Sequence, residues 1–180
     1  AGCSGTAAVA TLAADDAVTA ETAGAAHNGD QGSGLGGVAT HAAGFIDFEP
    51  ELERLLDEVD EDILKICFDT GHHSYAGFDP VAFMKRHIGR ISYMHFKDID
   101  PAVKASAIAS RTGFYDACGQ GIFCNLGRGD VDFPAVRQVL LDARFEGWCT
   151  VEQDCDPTLD VRPKDDAQAN REYLESIGFN

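Results

Sequence analysis

Three short apolar runs of the sequence each end in one ionisable side chain. Asp69 follows "ICF", His95 follows "ISYM" and Glu152 follows "CTV". Two carboxylates and an imidazole form a set of oxygen and nitrogen donors that suits Mn, Co, Mg or Zn. A divalent ion held there would polarise a carbonyl or hydroxyl group and stabilise the enediolate that forms when a neighbouring proton leaves. The pattern therefore predicts a metal site that supports proton-transfer chemistry.

Two further side chains are candidates for the acid or base that such chemistry requires. Lys97 lies two positions after His95, so the two share one face of the strand if the strand runs that far. His72 lies three positions after Asp69, in "DTGHH". We expect Lys97 and His72 to move protons at the site. The adjacent His73 either contacts the substrate or caps the following turn.

The scaffold that positions these residues is predicted from hydrophobic patterning. Runs with strand length and β-branched or aromatic content are 36–40, 65–68, 90–96 and 147–152. Helical spacing, or Pro near a start and Gly near an end, marks 49–59, 79–89, 132–147 and 163–179. Alternating strands and helices predict an α/β fold with parallel strands, whose carboxyl ends form one active face.

Composition excludes several classes of protein. The 180 residues, 44% of them hydrophobic, are enough for one packed core. The net charge of -16 argues against a nucleic-acid partner, because such binding requires clustered Lys and Arg. No apolar run approaches the roughly 18 residues of a membrane span, so we expect a cytoplasmic protein with no membrane partner. The six cysteines include no CxxC pair, and we expect them to be reduced.

The first 37 residues differ in amino-acid composition from the rest of the chain. They are rich in Ala, Gly, Thr and Asp and contain few large apolar side chains. We expect residues 1–37 to be weakly structured or helical, with one helix over 11–26 and a flexible connection over 28–37. The packed domain is predicted to occupy residues 38–180.

Four motifs in this order carry a resemblance to a known family. The motifs are "CFDTGHH", "YMHFKD", "FCNLGRGDVDF" and "GWCTVEQD", the last followed by "ANREYL". Over about residues 38–178 the chain resembles the sugar phosphate isomerase/epimerase superfamily of xylose isomerase-like TIM barrels, in its inosose dehydratase branch. The resemblance implies Asp69, His95 and Glu152 as metal ligands, His72 as a polar group at the substrate, and Lys97 as an acid or base.

The resemblance also implies a role for "LGRGD", residues 126–130, as a Gly-rich loop that contacts substrate through Gly127, Arg128 and Gly129. The alternative for this loop is a tight turn before the next helix. One ligand of the superfamily, a Glu on the preceding strand, has no counterpart in "GVATHAAGFID". His41 is the nearest equivalent and Asp47 a weaker one, so we expect His41 to be the fourth ligand.

The chain is short for the fold that it resembles. A closed eight-stranded barrel takes about 250 residues, and the predicted elements supply about four βα units, similar to the C-terminal half of such a barrel. We therefore predict a partial (βα) TIM barrel. It is a fragment of a longer protein, a half-barrel that completes itself as a homodimer, or a relative without activity.

The implied function is the dehydration of a keto-inositol in inositol catabolism, dependent on a divalent metal and proceeding through an enediolate. An isomerase or epimerase acting on a sugar or sugar phosphate uses the same intermediate and is the close alternative. A non-catalytic half-barrel module is the alternative of a different class. The expected partner is a small polyol or sugar. A metal-dependent nuclease or carbohydrate esterase of this superfamily would use more ligands than these residues provide.

Overall fold

A computed structural model describes residues 11–12, 18–19, 36–39, 48–154 and 162–179. The strands are β1 (Thr11–Leu12), β2 (Val18–Thr19), β3 (Gly36–Ala39), β4 (Leu64–Asp69), β5 (Ile91–Phe96), β6 (Asp98–Ile99), β7 (Phe123–Cys124) and β8 (Trp148–Val151). The helices are α1 (Glu49–Glu58), α2 (Thr70–Tyr75), α3 (Pro80–His87), α4 (Pro101–Ser110), α5 (Phe114–Gly119), α6 (Phe133–Asp142) and α7 (Pro163–Ser176). Among the helices in these ranges, none combines the length and the apolar composition that a membrane crossing requires.

Four of the strands form a parallel sheet. β3, β4, β5 and β8 lie side by side in chain order and run in the same direction. The short strand β1 adds antiparallel to the free side of β8, and β2 pairs with β1. Parallel neighbours joined by helical crossovers are the repeating unit of a (βα) barrel. The predicted α/β class, with about four βα units, is confirmed.

The expectation of one helix over 11–26 is wrong. Thr11–Leu12 and Val18–Thr19 are strands, in keeping with the β-branched residues that they contain. Thr11 pairs with Thr150 and thereby covers part of an edge that β8 would otherwise leave open. Most of residues 1–35 lie outside the described ranges, and the domain boundary near residue 37 stays a prediction.

The sheet buries one face against the helices. Phe68, Met94 and Phe96 are fully buried on that face, and the core continues through Phe83 of α3 and Phe133 of α6. Side chains alternate along a strand. The residues between these aromatic and aliphatic side chains therefore point to the opposite face, which is the interior side of a barrel.

A β-bulge sets which residues of β4 and β5 are neighbours. Ile66 pairs with Ile91, whereas Cys67 pairs with Tyr93, so that Ser92 is an extra residue in β5. As a result Asp69 lies beside His95. Without the extra residue, Asp69 would lie beside Met94, whose side chain faces the helices.

Three helices begin in the same way. Asp79, Asp100 and Asp132 are the N-caps of α3, α4 and α6, and each carboxylate accepts one or two backbone N–H groups of the first turn. A proline occupies the first or second position of each helix, where its missing N–H costs nothing. The predicted starts of the helices near residues 79 and 132 are confirmed.

Residues 98–124 form an insert that the sequence patterns did not predict. β6 and β7 pair antiparallel, with α4 and α5 between them in the chain. A small second core holds the insert together and consists of Ile99, Ala107, Ala117, Ile122 and Phe123. The insert leaves the sheet just after the carboxyl end of β5, so it lies at the end of the sheet where the site is predicted.

A buried carboxylate holds the Gly-rich loop that follows the insert. Asp98 is fully buried. Its Oδ1 accepts the backbone N–H groups of Ile99 and Val131, and its Oδ2 accepts those of Gly127 and Gly129, at 2.9–3.1 Å. A side chain at position 129 would collide with this carboxylate, which explains the glycine there.

We predict that Asp98→Asn lowers the free energy of unfolding by about 2–4 kcal/mol. An amide has one acceptor oxygen, so two of the four N–H groups would face an NH2 group and remain buried without an acceptor. Urea unfolding with an unchanged m-value would measure the loss. The matched control is Asp100→Asn, which keeps a good N-cap and should change stability by less than about 0.5 kcal/mol. Equal effects of the two substitutions would contradict this account of the loop.

Candidate metal centre

The structure brings the side chains of Asp69, His95 and Glu152 together at one rim of the sheet. Asp69 is the last residue of β4, His95 pairs with it in β5, and Glu152 directly follows β8. His95 is also in register with Thr150, two residues before Glu152. Parallel strands of matched register therefore place the three side chains on the same face, as the sequence predicted.

The three side chains are close enough to share one cation. Nδ1 of His95 lies 2.6 Å from Oε2 of Glu152 and 3.5 Å from Oδ2 of Asp69. One ligand atom from each of the three residues lies within 4.8 Å of the others. Carboxylate oxygens and an imidazole nitrogen are donors for Mn, Co, Mg or Zn. The donor set fits a divalent ion.

Electrostatics favour the charged form of all three groups. Burial works against the carboxylate of Asp69, which is 1% exposed, but the positive charge of Lys97 holds its pKa well below the usual range. Burial is likewise outweighed at Glu152 by the hydrogen bond to His95 and the charge of Lys97, which lower its pKa to about 2. At His95, burial is outweighed by hydrogen bonds to Asp69, Cys67 and Glu152, and the pKa rises to about 12.

The proton on Nδ1 of His95 occupies the position that a metal ion would take. This position lies between the carboxylates of Asp69 and Glu152. A metal ion that takes His95 as a ligand must displace this proton, because only the neutral imidazole has a free lone pair.

Lys97 lies beside the cluster as a buried cation. Although β5 ends one residue earlier, Nζ of Lys97 lies 3.5 Å from Asp69, 3.6 Å from Glu152 and 2.9 Å from Asp154. Burial alone would lower the pKa of Lys97, but these carboxylates, Asp69 first, raise it well above its usual value. Lys97 is therefore an ammonium group at neutral pH.

His72 reaches the cluster through the short helix α2. Asp69 caps this helix, because its Oδ1 accepts the backbone N–H of His72 at 2.8 Å. Its Oδ2 is the oxygen that faces His95 and Lys97. The imidazole Nε2 of His72 lies 3.0 Å from Nζ of Lys97. Since an ammonium group can only donate, this ring nitrogen is the acceptor.

Two features of the site were not predicted from the sequence. Asp154, 2.9 Å from Lys97, comes two residues after Glu152 in "VEQD" and lies beyond the end of β8. Gly71 allows α2 to approach β5, since a Cβ there would lie 2.6 Å from Cγ of Lys97. The spacing to Glu152 is a signal that could have indicated Asp154, whereas the close approach at Gly71 is visible only in three dimensions.

The structure does not bring His73 to this cluster. Its ring lies in the core against Phe68 and Phe83, and its Nε2 is 3.1 Å from Glu49 on α1. Adjacent residues of a helix point about 100° apart, so only one of the two histidines can face the strand ends. The predicted contact of His73 with substrate is therefore not supported.

The Gly-rich loop uses its backbone donors within the protein. The N–H groups of Gly127 and Gly129 bind Asp98, and Arg128 between them is exposed. The two glycine N–H groups are therefore not available to a substrate, and the alternative of a structural turn fits the loop better. His41 and Asp47, the candidates for the fourth ligand, lie outside the described residues.

Comparisons with known proteins give a consistent result. A family model described as "Xylose isomerase-like TIM barrel" matches residues 36–177. An inosose dehydratase of Clostridium botulinum is 31% identical over 125 residues, which cover 69% of this chain and 42% of the relative. The rhizopine catabolism protein MocC of Rhizobium meliloti is 36% identical over 117 residues, which cover 65% of this chain and 36% of the relative.

A similar solved structure is that of the probable 3-DHS dehydratase AsbF of Bacillus anthracis, which is involved in petrobactin synthesis. The match has a TM-score of 0.57 and 25% identity, and it covers 77% of this chain and 48% of that one. The chain thus spans roughly two fifths of the length of the curated relatives that it matches.

In the metal-free protein we expect the free energy of unfolding to fall at alkaline pH, because the stabilisation that the charged His95 provides is lost. Its pKa rises on folding from 6.5 to about 12, so above pH 6.5 the folded state keeps a proton that the unfolded chain has lost. The stabilisation is fully present below pH 6.5 and is lost as the pH rises towards the pKa of His95 in the folded state. The slope from this group is at most about 1.4 kcal/mol per pH unit. Urea unfolding in chelator across this range measures it.

His95→Gln should flatten this alkaline slope. The control His87→Gln changes a histidine on α3 that pairs with Glu53, outside the cluster, and should keep the slope of the wild type. If the wild type and His95→Gln lose stability equally between pH 7 and pH 10, the imidazole of His95 is not charged in the folded state.

Proposed function

Because the chain belongs to the xylose isomerase-like TIM barrel family, we propose that it contributes the metal centre of a lyase that dehydrates a keto-inositol. The observation that carries the proposal is the cluster of Asp69, His95 and Glu152 with the ammonium group of Lys97 beside it. The names of two similar proteins, an inosose dehydratase and a probable 3-DHS dehydratase, support loss of water as the reaction.

Asp69, His95 and Glu152 would hold the divalent ion, which we propose to be Mn or Co, with Mg and Zn as alternatives. When bound, such an ion supplies a positive charge that polarises a ketone and stabilises the negative charge that develops on its oxygen. His41 stays the candidate for a fourth ligand. The protein's part is to present the carboxylates charged and the imidazole oriented, which the depressed pKa values of Asp69 and Glu152 favour.

Lys97 and His72 would handle the proton. Dehydration breaks a C–H bond beside the ketone and the C–O bond of the β-hydroxyl, a carbon–carbon double bond forms, and the proton and hydroxide leave as water. Lys97 is charged, so it would first pass a proton to Nε2 of His72, which lies 3.0 Å from its Nζ. The amine so formed would take the proton from the carbon beside the ketone and, as an ammonium group again, donate it to the departing hydroxyl group. His72 would then return its proton to Lys97, which restores the starting state.

An isomerase or epimerase for a sugar or sugar phosphate is the close alternative, since it needs the same carbanion stabilisation and proton relay. Recognition of a phosphate would require a cation besides Lys97, whose charge is already balanced by Asp69, Glu152 and Asp154. Arg128, the candidate for that role, lies on the exposed Gly-rich loop beyond the N–H groups that hold Asp98. This arrangement favours an unphosphorylated polyol.

We also propose that a second copy of the chain covers the interior face of the sheet. Four parallel strands are half of the eight that close a barrel, and because β1 occupies the free side of β8, a second copy would cover the open face instead of extending the sheet. Trp148 begins β8 on this face, two residues before Thr150, and is 53% exposed. Trp is among the residues found most often at the energetic centre of protein–protein contacts, so Trp148 is the anchor that we propose for this contact.

The proposed function predicts distinct effects of two substitutions in the protein purified with Mn or Co. Asp69→Asn should reduce the bound metal by at least about tenfold, because it removes one ligand charge. Lys97→Met should retain the metal and lose turnover by at least about a hundredfold, because the proton relay is interrupted. Metal analysis is combined with assays of 2-keto-myo-inositol dehydration and of a panel of ketose epimerase substrates.

The matched control is Lys104→Met, which removes a lysine of the insert that pairs with Asp130. It should leave metal content and turnover near the wild-type values. Full turnover in Lys97→Met would refute the role of Lys97. A wild-type protein that binds neither metal would refute the enzyme and favour the non-catalytic module, and epimerisation without dehydration would favour the alternative reaction.

The proposed homodimer predicts a solution mass of twice the 19.2 kDa of the chain. Trp148→Glu should shift the mass to that of the monomer, because it places a charge in the contact. Tyr115→Glu, which changes a more exposed aromatic residue of the insert, should leave the mass unchanged. Light scattering coupled to size exclusion measures both, and a wild-type monomer would rule out the dimer.

A further inference from the structure

A second layer of side chains lies directly beneath the three candidate ligands. Cys67 and Tyr93 pair across β4 and β5, two residues before Asp69 and His95, which pair in the same way. The period of two along a strand places all four side chains on the interior face of the sheet. This layer therefore contacts the ligands from inside the barrel.

The thiol of Cys67 contacts the ring nitrogen of His95 that faces away from the carboxylates. Sγ of Cys67 lies 3.7 Å from Nε2 of His95, whereas Nδ1 of the same ring points to Glu152 and Asp69. The two nitrogens lie on opposite sides of the imidazole, so the thiol is not placed to join an ion bound at Nδ1. In accordance with this, the group of possible ligands contains the imidazole and the two carboxylates but not the thiol.

Tyr93 restricts the ring of His95 from a second direction. The two rings are perpendicular, with an interplanar angle of 88° and a centroid distance of 5.6 Å. The hydroxyl group of Tyr93 is hydrogen-bonded to Oγ1 of Thr150 on the neighbouring strand β8, where Thr150 is buried. Tyr93 is thus anchored across the sheet, and its ring limits rotation of the imidazole about its side-chain bonds.

We propose that Cys67 is a positioning residue for the metal centre. It accepts the Nε2–H of His95 and so keeps Nδ1 directed between Asp69 and Glu152. Partners of this kind fix the tautomer and the orientation of metal-binding histidines, and their loss typically weakens metal binding by about 10–100-fold. The effect on metal binding rests on the proposed function, whereas the orientation of the ring does not.

A thiol is an unusual choice for this position, and its chemistry suits the site. Sulfur is a weak acceptor, so it orients the imidazole and adds no further negative charge beside Asp69 and Glu152. A carboxylate there would add a third charge to the two that already flank His95. Cys149, a second cysteine of the sheet, belongs to the core that faces the helices and serves as a comparison.

The orientation is tested in the metal-free protein by NMR of ¹⁵N-labelled histidine at pH 7. His95→Gln identifies the imidazole signals among those of the six histidines. The Nε2–H signal of His95 should be present in the wild type, in Cys67→Ser and in Cys149→Val. In Cys67→Val, which keeps the volume and removes the acceptor, it should be lost to exchange with water. A retained signal in Cys67→Val would overturn the proposal.

The consequence for metal is tested by titrating the same proteins with Co²⁺ alone. Relative to Cys149→Val, the Kd should rise by about tenfold or more in Cys67→Val and recover in Cys67→Ser, which restores an acceptor. Equal affinities of Cys67→Val and Cys149→Val would overturn the positioning role and leave the metal site standing.

The two proposals fail in different ways. A wild type that binds no Co²⁺ but shows the Nε2–H signal would refute the proposed function and retain the orientation by Cys67. If Cys67→Val does not fold, Cys67→Ala compared with Cys67→Ser in both measurements decides the question, because that pair differs in a single acceptor atom. Loss of the signal in Cys67→Ser as well as in Cys67→Ala would count against the hydrogen bond.

Discussion

The arrangement of the whole site depends on charge balance in a space that excludes most water. Asp69, Glu152 and Asp154 supply three negative charges around Nζ of Lys97 and, for two of them, around His95. The carboxylates of Asp69 and Glu152 would be costly to bury alone, and both are kept ionised by the cations beside them. A divalent ion at Nδ1 of His95 would replace one proton and would therefore raise the local charge by only one unit.

The register of the parallel strands brings these side chains together, and that register depends on one β-bulge. The bulge between Ile66 and Cys67 changes the neighbour of Asp69 from a residue that faces the helices to His95. It also aligns Cys67 with Tyr93, so that the ligand layer and the supporting layer beneath it share one face. Bulges next to functional sites commonly redirect side chains in this way. The extra residue in β5 therefore brings His95 into register with Asp69 of β4.

The sequence was sufficient for the elements whose burial follows a simple period. All four parallel strands were predicted within two residues, because each is a short apolar run, and three of them end in an ionisable residue. The insert was not predicted, since β6 and β7 have two residues each and α4 mixes small and polar side chains without a clear apolar face. His73 was assigned to the site because spacing alone cannot show which of two adjacent helical residues faces the strands. The sequence left Gly127 and Gly129 open between a substrate contact and a structural turn, because their partner, Asp98, is 29 or more residues away.

The insert shields Lys97 and His72, the residues of the proposed proton relay, from water. The rings of Phe114 and Phe123 pack on His72 at centroid distances of 5.4 and 5.3 Å, and Nζ of Lys97 lies 4.6 Å from the ring of Phe123. Lys97 is consequently 1% exposed although it follows the end of its strand. In such surroundings the attraction between the ammonium group and a developing oxyanion is stronger than in water. The small second core would therefore act on the proposed reaction through the solvation of Lys97, even where none of its side chains reaches the candidate ligands.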